Sequence, residues 1–474
     1  MSSPLITNDA IVLGILVLIL ALVFKTSESS NPALKKFYKY IPSLLMCYFL
    51  PSIFTSLGII APEWYSLSDV TQFFVDKGIA VPGDLNQESV KHLAEDNGIE
   101  LKELAPFQKS SSLYFVASRY LLPASLVLLS LNIDLKGIIG LGPKALIMFF
   151  TATIGIIVGA PLALWFVGML APSVFYTTGG EAIWPGLATV AGSWIGGGAN
   201  QTAMKEIFGC SDTLFSAMIV VDVFVANLWM AFLLCGAGIS GKLDEKLKAD
   251  SSSIESLKTK MESYSKKITR VTTTSDLFVI AAIGLGAVGL SHFLADIISP
   301  IISGWTKAQL TVDPESWVRF ITSFGSGFFW LVVCATTIGV LLSFTKAREY
   351  EGAGASKIGS VFLYLLVATI GMKMNIAELI RDWEVFKFLI IIGLVWMAIH
   401  ISILLLVAKI IRAPFFFVAI GSQANVGGAA SAPIVASAFS PVLAPVGVLL
   451  AVLGYAIGTF GAILAAIMMQ GVSL

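Results

Sequence analysis

The reading of this chain turns on two glycine-rich stretches inside otherwise apolar segments, GSWIGGGANQTA at Gly192 to Ala203 and GSQANVGGAASA at Gly421 to Ala432. Sliding the first onto the second by 229 positions pairs Pro185 with Pro414, Gly192 and Ser193 with Gly421 and Ser422, Gly198 with Gly427 and Ala203 with Ala432. A shared offset through both stretches is the mark of an internal repeat. Glycine and small polar residues at the centre of an apolar segment also argue against a continuous helix. The stretches therefore read as two broken or re-entrant helical hairpins, one per repeat. A third match, Leu131-Asn132-Ile133 against Met374-Asn375-Ile376, follows the third span of each half at nearly the same offset.

Working outward, apolar runs close to the ~20 residues that cross a bilayer recur at Asn8 to Phe24, Ile41 to Ile60, Leu113 to Leu131, Ala145 to Leu170 and Leu214 to Gly238. The second half repeats them at Leu277 to Ile297, Phe320 to Phe344, Ile358 to Gly371, Phe388 to Ala408 and Val446 to Met469. The expected fold is an all-α polytopic membrane protein of about ten transmembrane helices plus the two hairpins. Its parts are a first repeat over 1–238 with an insertion at 61–110, a cytoplasmic linker at 239–275, and a second repeat over 276–474. Five spans per half is an odd number, so the halves run in opposite directions, as in the inverted repeats of many secondary transporters.

Composition agrees. Of 474 residues, 56% are hydrophobic and 13% charged, against roughly 25% charged in a soluble domain, which excludes a soluble enzyme. Thirty basic residues balance thirty acidic ones, so nothing favours nucleic acid. The expected partners are a small-molecule solute and the lipid bilayer, with a homodimer left open. Cys47, Cys210, Cys235 and Cys334 show no pairing pattern and read as small hydrophobes. Met1 to Ala10 lacks the positive region of a signal peptide, so the first run is expected to stay as a helix.

Orientation follows the basic short loops. Lys25, Lys35, Lys36 and Lys39, then Lys136 and Lys144, the lysine-rich Ile239 to Ser275 segment, and finally Lys346, Arg348 and Lys357 can all be cytoplasmic only if Ile183 to Phe208 enters and leaves on one side. Both termini then face outward, in what is expected to be a bacterial inner membrane. The insertion Ala61 to Ser110 is net acidic and external on this topology, a small cap with a short helix at Gln87 to Asp96 stopped by Gly98. In the linker, Ile254, Leu257, Met261, Tyr264 and Ile268 form one apolar helical stripe, read as a helix resting on the bundle or membrane surface, with a regulatory partner site as the alternative.

Backbone that is not helical at membrane depth survives only inside protein or beside a watery cavity, so the glycine tips point to the site. The half-helix that starts after each tip offers free N–H groups and a positive dipole end. Gly197, Gly198, Asn200, Gln201 and Thr202 in the first tip, and Asn425, Gly427, Gly428 and Ser431 in the second, are the candidate substrate-binding residues. The half that ends at the tip offers carbonyl groups, expected around Gly192 and Gly421, beside the Ser193 and Ser422 hydroxyls. With Asp222 and Asn227 in the following span, these oxygens suit sodium or a proton as coupling ion, and no other cofactor is expected. The competing roles are close packing for the glycines and a neutral structural carboxyl for Asp222; His400 reads as a packing residue with ion coupling as the alternative, and Arg119 as a snorkelling residue with substrate binding as the alternative. HExxH, GxSxG, P-loop and haem motifs are absent, so no enzyme activity is expected.

The segments LVATIGMKMNI (Leu366 to Ile376), GSQANVGGAASAP (Gly421 to Pro433) and LAVLGYAIGTFGAIL (Leu450 to Leu464) resemble the domain-of-unknown-function 819 (DUF819) membrane family, with Asn425 to Ala430 the most specific part. The resemblance spans nearly the whole chain apart from 61–110 and 239–275. It implies a place in the clan that holds cation/proton antiporters and sodium/glutamate, citrate and bile-acid symporters, with a mobile core and a scaffold. In that family an acidic residue precedes the Asn matched by Asn227, whereas this chain has Ala226 and carries Asp222 one turn earlier. The expected function is sodium-coupled symport of a small organic anion or zwitterion by elevator-like alternating access. A proton-coupled carrier or exporter, and a membrane receptor or scaffold that moves nothing, are the alternatives.

Overall fold

The computed structural model describes residues 4–473 except 42, 83–84, 88, 100, 132–134, 178–179, 250–253, 255–256, 258–271, 315, 374–382 and 441–442. Residues 132–133 and 374–376 of the third match, and the linker stripe at Met261, Tyr264 and Ile268, therefore lie outside the described residues.

The order is α1 (Asp9–Ser27), α2 (Pro32–Tyr40), α3 (Ser43–Ser56), β1 (Glu63–Tyr65), α4 (Leu67–Asp76), α5 (Ser89–Asp96), β2 (Gln108–Ser110), α6 (Leu113–Ser130), α7 (Pro143–Leu170), α8 (Trp184–Phe208) and α9 (Asp212–Gly238). It continues with α10 (Thr274–Val312), α11 (Gly327–Ser343), α12 (Ala355–Lys373), α13 (Trp383–Ile410), α14 (Phe415–Val426), α15 (Gly428–Phe439) and α16 (Ala444–Ser473). Among the described residues eight helices are long and apolar enough to cross a membrane: α1, α6, α7, α9, α10, α12, α13 and α16. A ninth is reached if α11 is joined to the short helix Lys346–Ala353, from which it is bent by 93°. Two of the ten apolar runs thus give shorter helices. The 41–60 run carries Pro51 within α3 and leaves the helix before Gly58, where φ is +70°. The 320–344 run starts in a 3-10 turn, Trp317–Gly325, and becomes α-helical only after Ser326.

Two compact units make up the chain, one of 1–119 with 364–381, the other of 120–363 with 382–474. In the first, the Asn8 side chain accepts from Ala10 N and caps α1, and Asp9 accepts from Ser111 Oγ at 2.6 Å and Ser112 N at 3.0 Å. The insertion builds its own small core from Tyr65, Val70, Phe74, Val90, Ala94, Ile99 and Leu104. β1 and β2 close it as an antiparallel pair with Glu63 opposite Ser110, and α5 stops before Gly98 at φ +68°.

In the second unit, α7 and α13 pack face to face through glycines. A methyl group on Gly159 would stand 2.8 Å from Trp396 Cδ1, and Trp396 Nε1 donates to the Ile156 carbonyl at 2.9 Å. A second layer joins α6, α10 and α11, where Gly284 rests on Leu128 and Gly339 on Val127. A Thr273–Asp276 capping box starts α10. Phe278, Phe293 and Ile301 on α10, Leu18 on α1 and Leu406 on α13 are exposed. Apolar side chains displayed along long helices place them in a lipid bilayer.

Candidate functional site

Both glycine-rich segments are helical hairpins. In α8 the helix breaks at Gly197, with φ 74° and ψ −175°, a conformation that only glycine adopts freely. A methyl group on Gly192 would lie 2.7 Å from the Asn200 carbonyl oxygen and 3.0 Å from Met204 Cγ. In a straight helix those residues would be ~12 and ~18 Å further along the axis, so the chain doubles back. The ends of the segment meet, with the Trp184 and Phe208 rings 5.4 Å apart. In the second hairpin, α14 runs to Val426 and α15 starts at Gly428, where φ is +59°. Gln423 Nε2 donates to Ser431 Oγ across the tip at 2.7 Å. The base is closed by Phe439 against Phe415 and Phe416, at 6.2 and 5.3 Å.

The tips fall later than the sequence suggested. Gly192 and Gly421 are buried in regular helix and serve packing: a methyl group on Gly421 would stand 2.8 Å from the Met148 carbonyl carbon. They are close-contact glycines within regular helix, not the helix-end carbonyl positions expected from the sequence. The helix-end carbonyls belong to residues nearer Gly197 and Gly427, and two of these converge. A methyl group on Gly454 of α16 would lie 2.5 Å from the Ile195 oxygen and 3.7 Å from the Ala424 oxygen. Ile195 and Ala424 are partners under the 229-residue shift. Equivalent carbonyls at the ends of the two first arms therefore face the same glycine.

Asp222 on α9 is 6% exposed and is clasped by both arms of the first hairpin. Its carboxylate accepts from Ser193 Oγ at 2.6 Å, Trp194 Nε1 at 2.7 Å and Gln201 Nε2 at 3.1 Å. Charge-assisted bonds of this kind are the strong ones, and three of them hold a buried carboxylate. Asn227 does not join: its Nδ2 donates to the Val223 carbonyl at 2.7 Å on its own helix. It is five residues on from Asp222, ~140° round the helix, which corrects the expected pair.

The two tip asparagines are fully buried and built alike. Asn200 Nδ2 donates to the Gly196 carbonyl at 2.8 Å, and its Oδ1 accepts from Thr459 Oγ1 at 2.5 Å, which in turn bonds Thr336 at 3.1 Å. Asn425 Nδ2 donates to the Gly421 and Phe149 carbonyls at 2.9 and 3.3 Å, and its Oδ1 accepts from Thr153 Oγ1 at 2.9 Å. Each amide thus ties a hairpin to another helix. Thr202 donates back to the Gly198 and Ala199 carbonyls. Ser422 accepts from Trp229 Nε1 and bonds His400 Nε2, both at 2.8 Å, so His400 is a hydrogen-bonded packing residue joined to the second hairpin. Gly197, Gly198, Gly427 and Ser431 are the half-buried parts of the tips.

Sequence reasoning missed Trp194, Gln423, Trp229, Thr153 and Thr459, whose partners are mostly far along the chain. It also missed Lys205, 6% exposed in side chain and paired with Asp212 at 2.9 Å and Glu206 at 3.5 Å. A lysine inside an otherwise apolar segment, seven residues before an aspartate, was a readable signal.

The family described as "Protein of unknown function (DUF819)" matches residues 102–472. The chain belongs to the DUF819 family. The match starts later than the resemblance read from sequence, leaving 1–101 outside it, and both hairpins and Asp222 lie within it. A curated relative, "Uncharacterized membrane protein YjcL" of Bacillus subtilis (strain 168), is 24% identical over 368 residues, covering 74% of this chain and 82% of its own length. This DUF819 chain is an integral membrane protein.

Proposed function

We propose that this DUF819 protein is a secondary active transporter that couples sodium to the movement of a small organic anion or zwitterion. The observation that carries the reading is the convergence of the Ile195 and Ala424 carbonyls on Gly454. Two helix C-termini, each with a partial negative charge of ~0.5, approach the same α16 glycine, and a small hard cation is the natural complement of such ends. The half-helices that start at Gly198 and Gly428 present positive dipole ends at the same two tips, where they favour an anionic solute. On this reading both chemistries belong to one pair of hairpins, and ion and solute bind together.

On this reading the hairpins are re-entrant, the halves 1–238 and 276–474 are inverted repeats, and both termini face outward from the inner membrane. The kinship is with the sodium/glutamate, citrate and bile-acid symporters, and transport proceeds by elevator-like alternating access. Proton coupling is the second reading, favoured by the buried carboxylate of Asp222; its three donors argue for a clasp. Uptake by sealed vesicles tests the proposal. A solute that stabilises the purified protein should accumulate only with an inward sodium gradient. Binding without accumulation makes the protein a receptor, and accumulation that follows a proton gradient makes Asp222 the coupling group.

A further inference from the structure

The tip of the second hairpin carries an unmet requirement. Gln423 is 2% exposed, its Nε2 is engaged by Ser431, and its Oε1 accepts no hydrogen bond among the described residues. A methyl group on Gly427 would stand 2.1 Å from Gln423 Nε2, so the amide lies across the tip glycine and needs the space glycine leaves. A buried amide oxygen without a donor is costly. Next to it α15, twelve residues long, starts after Gly427 with no side chain capping its first N–H groups, an end that attracts anions. Ser431, in the first turn of α15, touches both features and is half buried, as is Gly427, so the tip is reachable from water.

A donor-seeking oxygen and an anion-seeking helix end, side by side, are complementary to a ligand that bears the opposite pair on adjacent atoms. Resting on the transport reading above, we infer that the second hairpin tip selects compact carboxylates with a hydroxyl or ammonium group on the neighbouring carbon. The carboxylate meets the N–H groups of Gly428 and its successors. The hydroxyl or ammonium donates to Gln423 Oε1. An acid lacking that donor leaves Oε1 unpaired, and pockets built around a polar partner reject such analogues strongly.

The test is thermal stabilisation of the purified full-length protein by matched acids, lactate against propionate, malate against succinate and glutamate against glutarate, each titrated in sodium and in potassium. The donor-bearing member of at least one pair should bind tenfold or more tightly than its partner. Gln423→Met, which keeps length and removes both polar atoms, should bring the two within threefold, and Ser431→Ala, which frees the amide, should lower the discrimination in a chain that keeps the tip fold. Equal binding of both members in the unaltered protein overturns the inference, as does discrimination that survives Gln423→Met. If equal binding still requires sodium, the transport reading stands while the inference falls; if potassium serves as well, sodium coupling falls with it. No stabilisation by any of the six acids also overturns the inference, and sodium-dependent stabilisation by another class of solute then leaves the transport reading in place.

Discussion

Replacing Asp222 separates a clasp from a coupling group. Asp222→Ala leaves three buried donors, Ser193 Oγ, Trp194 Nε1 and Gln201 Nε2, without their acceptor. Orphaned donors in a soluble core cost ~1–3 kcal/mol each, but in membranes side-chain hydrogen bonds between helices average ~0.6 and reach ~1.7 kcal/mol. The membrane figures govern here, so three bonds put the loss at about 2–5 kcal/mol. Asp222→Asn should cost less, about 1–2 kcal/mol: the amide oxygen still serves one side, while its NH2 faces a donor on the other. Because Ser193 and Asp222 share a bond, the double variant Ser193→Ala with Asp222→Asn should fall short of additivity by about 0.5–2 kcal/mol. The assay is reversible unfolding of the purified protein in detergent, followed by tryptophan fluorescence, which Trp194 reports directly. Unchanged stability in Asp222→Asn, or strict additivity in the double variant, refutes the clasp and returns Asp222 to ion coupling.

Asn425→Asp removes both donated bonds, to Gly421 and Phe149, and sets a carboxylate against two carbonyl oxygens; loss of stability in the unfolding assay is expected, not only loss of uptake, and a stable, fully active variant would contradict it. Gly421→Ala should destabilise by ~1–3 kcal/mol, since its methyl group meets the Met148 backbone at 2.8 Å, whereas Gly286→Ala on α10, with nothing within 4 Å, should be neutral within about 0.5 kcal/mol. Glu351, in the polar turn between α11 and α12, has its carboxyl pushed above the ordinary glutamate range by burial, partly countered by bonds from Ser356. A raised folded-state value favours folding below the unfolded value and loses that contribution as pH rises through the folded one, so Glu351→Gln should flatten the fall of stability with rising pH above about 4.5.

The long helices were legible because a bilayer demands apolar length, and length is visible: eight of the ten runs became helices of spanning size. The hairpins were legible because two runs matched under one shift, with amide and serine residues among the glycines, which close packing alone does not require. The turning points were not, since Gly192, Gly196, Gly197 and Gly198 look alike in sequence and only backbone dihedrals single out Gly197. Of the site residues, Ser193 and Asp222 come together as a pair of polar groups in apolar surroundings should. Asn227 fails because its own helix offers the Val223 carbonyl one turn back. Thr153 and Thr459 lie 272 and 259 residues from the asparagines they serve, so no local pattern could name them. The aromatic closure of each hairpin could have been read: Trp184 and Phe208 have the same separation as Phe415 and Phe439.

The proposed cation beside Gly454, between the Ile195 and Ala424 carbonyls, can be tested with no solute by a sodium titration of the purified protein's unfolding transition at constant ionic strength. Stability should rise as RT ln(1 + [Na+]/Kd), reaching about 2.7 kcal/mol at one hundred times Kd, with no such rise in potassium. Gly454→Ala, whose methyl group would stand 2.5 Å from the Ile195 oxygen, should abolish the sodium response. Identical curves in sodium and potassium, or a response left intact in Gly454→Ala, would rule out a sodium ion at this place.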